Sequence, residues 1–226
     1  MLPSLLNQLL KRHVKDVGNI PSILQQVVIR LRSVIVVKVS SLFPTYFWKL
    51  KVPNNQSIKD RYLQTFIDGY ENHIYDVPDG WITHKCHTSF SKRTEFDRDI
   101  CDTYADLFDS IFDSRWSGNF EYWYSVYKND EYQEWHDHMP STLSAIHFLN
   151  FKEEHKAPMF EDPLKGLKSL IHQTGLNSKL AEPNRYTPDV EEGDIIIFPS
   201  YLQHAVPAAV YDTHRVTIAL NVKVPL

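Results

Sequence analysis

From about residue 120 onward, the sequence consists of short β-rich runs separated by turn residues, and this feature most constrains the fold. The runs cover residues 122–127, 144–151, 194–198 and 216–224. Short strands in such a series predict a β-sandwich or a barrel. The segment 156–188 between them is long, polar and proline-bearing, and we predict a loop that acts as a lid, since long loops in compact domains are often functional.

The N-terminal half has helical character instead. We predict helices over residues 57–74 and 94–112. The second has Thr94 as its N-cap, and its apolar side chains recur at helical spacing and are interpreted as core rather than as a cofactor site: Phe96, Ile100, Tyr104, Leu107 and Ile111. The fold class that follows is α+β, mainly β, with helices from the N-terminal half flanking the β core.

Charge is distributed unevenly along the chain. Residues 1–51 contain eight Lys or Arg and one acidic residue, whereas residues 52–226 contain 16 Lys or Arg and 27 acidic residues. Because nonspecific nucleic-acid binding relies on basic surface, we expect no nucleic-acid partner. We predict a basic helical extension over residues 1–42 and a separate domain over 43–226. The extension binds an anionic membrane surface or a partner, or, as we favour, it packs on the domain or is dispensable.

The expected compartment is the cytoplasm. No apolar run approaches the roughly 20 residues that span a bilayer, and the chain does not open with a signal-peptide pattern. The two cysteines, Cys86 and Cys101, do not form a disulfide framework or a zinc-site spacing. We therefore expect two reduced thiols.

Residues 135–140, with the sequence WHDHMP, contain the first candidate metal ligands. Side chains alternate along a strand, so His136 and His138 are predicted to converge on one side while Asp137 points away. Two imidazoles at this spacing suit a divalent metal ion. In a chain with 11 histidines, a pair on the surface is the competing interpretation.

Two further residues follow predicted strands near the C-terminus. His204 comes shortly after the buried run 194–198, as a third metal ligand or as a structural histidine. Arg215 begins the last apolar strand, and a buried arginine needs an anionic partner. A planar guanidinium suits a carboxylate, and Thr217 shares its face of the strand. The alternative is an edge-strand arginine that reaches solvent.

The order of these motifs resembles the iron(II)/2-oxoglutarate-dependent dioxygenase superfamily over about residues 120–224. The segments 136–145 and 198–204, with Arg215 and Asn221, are similar to the H-x-H-P-x-S and F-P-S-x-L-x-H signatures of a microbial and phage branch. The resemblance implies a double-stranded β-helix core, also called a jelly-roll or cupin-like core. It also implies iron(II), 2-oxoglutarate and O2, hydroxylation of an unknown small-molecule or protein substrate, and release of succinate and CO2.

Site residues follow from the same resemblance. The implied metal ligands are His136, His138 and His204. The implied 2-oxoglutarate contacts are Arg215, Thr217 and, by similarity to prolyl-hydroxylase-like members, Tyr127, for which a strand aromatic in the core is the equal alternative.

The histidine at position 138 departs from the superfamily, most of which has a carboxylate there. Three neutral imidazoles leave an iron(II) site one unit more positive, which changes its potential and its affinity for metal. Asp137 replaces His138 only if the strand is bulged, and Glu134 is a more remote option. Trp135 and His147 either line the site or belong to the core.

Two other functions remain open on the sequence alone. A three-histidine cupin-type enzyme shares the ligand set without using 2-oxoglutarate. A catalytically silent module with a degenerate metal site is the second.

Overall fold

The computed structural model describes residues 45–72, 86–89, 94–112, 118–166 and 184–223. Predictions for residues 1–42, including the basic helical extension, lie outside these ranges. Within them the helices are α1 (Asn55–Glu71) and α2 (Arg98–Asp109). The strands are β1 (Trp48–Lys51), β2 (His87–Thr88), β3 (Asn119–Tyr127), β4 (Gln133–His136), β5 (Leu143–Asn150), β6 (Met159–Glu161), β7 (Arg185–Tyr186), β8 (Asp194–Pro199), β9 (His204–Val206) and β10 (Arg215–Lys223).

The strands form two antiparallel sheets. The larger has the order β1-β8-β5-β10-β3-β2, and the smaller has the order β4-β9-β6-β7. This is the double-stranded β-helix, and the prediction of a mainly β fold with flanking helices is confirmed. The four β-rich runs correspond to β3, β5, β8 and β10, each within three residues of its predicted bounds.

The two faces of the larger sheet have different roles. Along β10, Val216, Ile218, Leu220 and Val222 join an apolar core with residues of α1 and α2. The intervening residues face the smaller sheet, because side chains alternate along a strand. The apolar residues of β10 therefore recur every second position, and this period marks it as a strand.

Helix α2 begins four residues later than predicted. The Thr94 N–H donates to the Tyr122 carbonyl at 2.7 Å, and the hydroxyls of Thr94 and Ser89 are 2.7 Å apart. Thr94 is therefore bound to the sheet, and the N-cap position belongs to Asp97. The prediction of Thr94 as the N-cap was wrong because these tertiary hydrogen bonds compete with capping.

The apolar stripe of α2 packs as predicted. Ile100, Tyr104 and Leu107 are buried in the helix-side core. Phe96 and Ile111 are partly buried against it. The stripe is core rather than a cofactor site, as the helical spacing indicated.

The predicted loop 156–188 is only partly irregular. Strands β6 and β7 both fall inside it and form one edge of the smaller sheet. Residues 167–183 lie outside the described residues, so the lid stays a prediction.

Both cysteines are free thiols, with Cys86 buried and Cys101 partly exposed. In the part of the chain that the structure describes, no helix combines the length and the apolar character needed to cross a bilayer.

Candidate metal and cosubstrate site

A partly open cavity lies between the two sheets. Its lining comes from the inward faces of β3, β5 and β10 on one side and from β4, β9 and the turn after β4 on the other. The lining residues are Trp123, Ser125, Tyr127, Gln133, His136, His138, Ile146, His204, Val206, Arg215, Thr217 and Ala219. All six site residues expected from the sequence are in this set.

Three imidazoles form the polar centre of the cavity. One ring nitrogen from each of His136, His138 and His204 lies within 4.8 Å of the other two. The register of β4 and β9 places His136 directly opposite His204. Such a cluster has the size and the ligand type of a site for one divalent metal ion.

The reason why His136 and His138 converge differs from the one predicted. Strand β4 ends at His136, so His138 lies in the following turn rather than on a strand. The His138 N–H donates to the Ser200 carbonyl at 2.9 Å, which brings this turn against the turn after β8. Asp137 is exposed, and its carboxylate accepts the Met139 N–H at 3.1 Å.

Backbone carbonyls fix the tautomers of two of the histidines. Nδ1 of His136 donates to the Glu134 carbonyl at 2.7 Å, and Nδ1 of His204 donates to the Leu202 carbonyl at 3.0 Å. In a neutral ring, each bond leaves Nε2 as the unprotonated nitrogen, the form that binds metal. Burial, with the neighbouring His136 and His138, holds the pKa of His204 well below its usual value. His204 is therefore neutral at physiological pH.

Arg215 is a buried cation. Arg215 is 1% exposed, and its Nε and Nη1 have no hydrogen-bond partner among the residues that the structure describes. Burial lowers the pKa of the guanidinium. The interpretation of Arg215 as an edge-strand residue that reaches solvent is therefore wrong, since β10 lies between β3 and β5. An unpaired buried charge is costly, so the arrangement suits a bound anion.

Tyr127 and Thr217 flank this guanidinium from the same sheet. The Arg215 guanidinium carbon lies 4.6 Å from the centre of the Tyr127 ring. The Tyr127 hydroxyl donates to Oε1 of Gln133 at 2.7 Å. Thr217 is buried and lies opposite Ser125 in the register of β10 and β3.

Sequence reasoning missed six lining residues, which include Trp123, Ser125 and Gln133. Trp123 and Ser125 share the inward face of β3 with Tyr127, so the two-residue period of that strand was a usable signal. Gln133 carried no comparable signal, because its position depends on the pairing of β4 with β9.

His147 and Trp135 are not lining residues of the cavity. His147 is buried on the helix side of β5, where the Tyr104 hydroxyl donates to its Nδ1 at 2.8 Å and its Nε2 donates to Asn55 at 2.8 Å. The Arg185 guanidinium lies 5.0 Å from the centre of the Trp135 ring. Neither side chain therefore lines the site, and both contribute to packing outside it.

The side chains that line the cavity are suited to binding a metal ion and a carboxylate together. Three imidazoles offer ring nitrogens to a metal ion, and the buried guanidinium offers N–H groups to a carboxylate in the same cavity. A 2-oxo dicarboxylic acid has a 2-oxo acid group that suits the metal ion and a second carboxylate that suits the guanidinium. Residues 121–221 match the sequence family described as "Putative 2OG-Fe(II) oxygenase". Residues 121–221 therefore belong to the 2OG-Fe(II) oxygenase family. The chemistry of this family uses iron(II), 2-oxoglutarate and O2.

Solved structures share the fold of this oxygenase at low sequence identity. A prolyl-4-hydroxylase from Pseudomonas putida is 11% identical, with a TM-score of 0.53, over 80% of this chain and 94% of that one. A prolyl hydroxylase from Trichoplax adhaerens, in complex with a hypoxia inducible factor peptide fragment, is 12% identical, with a TM-score of 0.52, over 78% and 83%. AviO1 from Streptomyces viridochromogenes is 13% identical, with a TM-score of 0.55, over 80% and 90%. No curated protein sequence matches this oxygenase.

Proposed function

We propose that this oxygenase binds iron(II) through His136, His138 and His204, binds 2-oxoglutarate through Arg215, and hydroxylates a small molecule or a peptide side chain. The observation that carries the proposal is the buried guanidinium with two unpaired nitrogens in the same cavity as the three imidazoles. Neither feature alone requires a 2-oxo acid, but together they match its two ends.

Arg215 has the central role in cosubstrate binding. Its planar guanidinium pairs with the far carboxylate of 2-oxoglutarate, and charge-assisted hydrogen bonds of this kind are strong. The Thr217 hydroxyl adds a donor on the same face of β10. The Tyr127 ring holds the guanidinium in place from below, since a cation packs favourably on an aromatic face.

The histidines divide the site into a buried and an open side. His204 is 2% exposed, whereas His136 and His138 are partly exposed. The substrate therefore approaches past His136 and His138, and the 2-oxo acid occupies the deeper end beside Arg215. When bound, iron(II) supplies the reaction of O2 with 2-oxoglutarate that yields succinate and CO2 and oxidises the substrate.

Anaerobic reconstitution tests the proposal without knowledge of the substrate. Wild-type protein with iron(II) and 2-oxoglutarate should develop a metal-to-ligand charge-transfer band in the visible region. Arg215→Ala should bind iron(II) but lose the band at the same 2-oxoglutarate concentration. Arg98→Ala is the matched control, because the Arg98 side chain is 94% exposed on α2.

An iron-loaded wild-type protein without the band, or a band unchanged in Arg215→Ala, would contradict the proposal. The all-imidazole ligand set favours one second candidate, a three-histidine cupin-type enzyme that does not use 2-oxoglutarate. That enzyme would bind iron(II) and react with O2 while leaving 2-oxoglutarate unconsumed. A catalytically silent module would retain no iron.

We also propose that the enzyme works in the cytoplasm, as a domain over residues 43–226 preceded by a basic extension. The two free thiols support a reducing compartment. Fractionation of cells that express the full chain tests the location, and liposome sedimentation with and without residues 1–42 tests whether the extension contacts membranes.

A further inference from the structure

The turn that carries His138 is fixed to a turn from a distant part of the chain. The His138 N–H donates to the Ser200 carbonyl at 2.9 Å, and the Ser141 N–H donates to the His138 carbonyl at 2.9 Å. Ser200 comes directly after β8, four residues before His204. The position of the Ser200 peptide therefore affects two of the three histidines.

Ser200 is itself held by a chain of buried hydrogen bonds. Its hydroxyl lies 2.8 Å from the Ser144 hydroxyl, and the Ser144 hydroxyl donates to Oδ1 of Asn221 at 2.8 Å. Since a serine hydroxyl has one proton, Ser200 must be the donor to Ser144. The chain thus runs in one direction from the turn after β8, through β5, to β10.

These three residues have no contact with solvent and do not line the cavity. Ser144 is 1% exposed, Ser200 is fully buried and Asn221 is 4% exposed. The Ser200 N–H also donates to the Thr142 carbonyl at 3.2 Å, so both its backbone and its side chain are bound. Small apolar side chains would fill the same space without the cost of burying polar atoms, which argues that the hydrogen bonds fix a position.

We infer that Ser200, Ser144 and Asn221 form a clamp that positions His138 and His204 for metal binding. This inference rests on the proposed function, since it concerns the same three metal ligands. The clamp residues are positioning residues: they act through the Ser200 peptide, and none has a hydrogen bond to a ligand side chain among those that the structure records.

Ser200→Ala and Ser144→Ala test the clamp through metal affinity. Each should raise the dissociation constant of the metal by about 10- to 100-fold, the usual effect of removing groups that orient metal ligands. Cobalt(II), titrated anaerobically into metal-free protein and followed by its visible spectrum, reports both affinity and ligand geometry. The spectrum of either variant should differ from that of wild type even at saturation.

Ser89→Ala is the matched control for lost stability. Ser89 is also a buried serine whose hydroxyl has two hydrogen bonds, one shared with the Thr94 hydroxyl and one accepted from the Tyr124 N–H, but it directly follows β2 and does not line the cavity. It should lower Tm of the metal-free protein about as much as Ser144→Ala. Its cobalt(II) affinity and spectrum should equal those of wild type.

The outcomes separate the clamp from the proposed function. Wild-type cobalt(II) binding that His136→Ala and His204→Ala remove, combined with unchanged binding in Ser200→Ala and Ser144→Ala, would overturn the clamp alone. Equal weakening in Ser89→Ala would also overturn it, because general destabilisation would then be the cause. Failure of wild-type protein to bind metal through the histidines would overturn both proposals.

Discussion

The guanidinium of Arg215 lies 4.6 Å from the centre of the Tyr127 ring, and both side chains are 1% exposed or less. This pair places a cation on an aromatic face at the bottom of a cavity whose other end has three imidazoles. The cation is held in position, and two of its nitrogens have no hydrogen-bond partner within the described part of the chain.

Arg215→Met should stabilise the metal-free protein and weaken the binding of 2-oxoglutarate. The variant removes an unpaired buried charge, so the free energy of unfolding of the metal-free protein should rise by roughly 1–4 kcal/mol. Its affinity for 2-oxoglutarate should fall by at least about 30-fold, since a buried charge pair is lost. Urea unfolding and titration of the charge-transfer band measure the two effects. Arg98→Met should change neither, and a loss of stability in Arg215→Met would contradict the argument.

Two variants of Tyr127 separate its ring from its hydroxyl. Tyr127→Phe keeps the aromatic face and removes the hydroxyl that donates to Gln133, so the dissociation constant of 2-oxoglutarate should rise by less than about tenfold. Tyr127→Leu also removes the cation–π contact, worth about 2 kcal/mol when desolvated, and should weaken binding by roughly 30-fold or more. Equal effects of the two changes would mean that the hydroxyl, rather than the ring, holds the cosubstrate.

Substitutions at the two neighbouring positions decide the second metal ligand. His138→Ala should abolish tight metal binding, whereas Asp137→Ala should change the metal dissociation constant by less than about threefold, because Asp137 is exposed. His138→Asp should retain iron(II) and lower its reduction potential, since a carboxylate adds one negative charge. Metal content after gel filtration and a potentiometric titration test these outcomes. Retention of metal by His138→Ala together with loss in Asp137→Ala would reverse the assignment.

His147 should make the metal-free protein less stable in acid. Burial lowers its pKa from the usual 6.5 to about 3. Between these values the unfolded chain binds a proton that the folded protein does not, so this contribution is complete above about pH 6.5 and is lost as the pH falls toward 3. The slope is at most about 1.4 kcal/mol per pH unit.

Urea unfolding at several pH values measures that slope. His147→Gln should flatten it, leaving the parts that come from His155, whose pKa is lowered to about 4 by burial and by Arg215, and from His204, whose pKa burial also lowers. An identical slope in wild type and His147→Gln would contradict the assignment of this residue.

The site could be predicted from the sequence where its residues lie on long, regular strands. Arg215 and Thr217 are inward residues of the nine-residue strand β10, and Tyr127 is at the end of the nine-residue strand β3, so a two-residue period describes them. His204 directly follows the turn after β8. In these cases the local pattern and the tertiary position agree.

The remainder depends on contacts between distant parts of the chain. His138 reaches the cavity through a hydrogen bond to Ser200, and Gln133 through the pairing of β4 with β9. Strands β6 and β7 have three and two residues, too few to show a period. Thr94 has the sequence of an N-cap, but its hydrogen bonds to the sheet prevent that role.

The alternation along β10 separates two kinds of evolutionary change. Val216, Ile218, Leu220 and Val222 determine how well the helices pack, whereas their neighbours determine what the cavity binds. Substitutions that change stability can therefore accumulate without altering ligand binding, and substitutions that change ligand binding can accumulate without altering stability. Inserting or deleting one residue in this strand would exchange the two sets of side chains. Arg215 would then face the helices, and an aliphatic side chain would face the cavity. Selection should therefore remove insertions and deletions here even where it tolerates point substitutions.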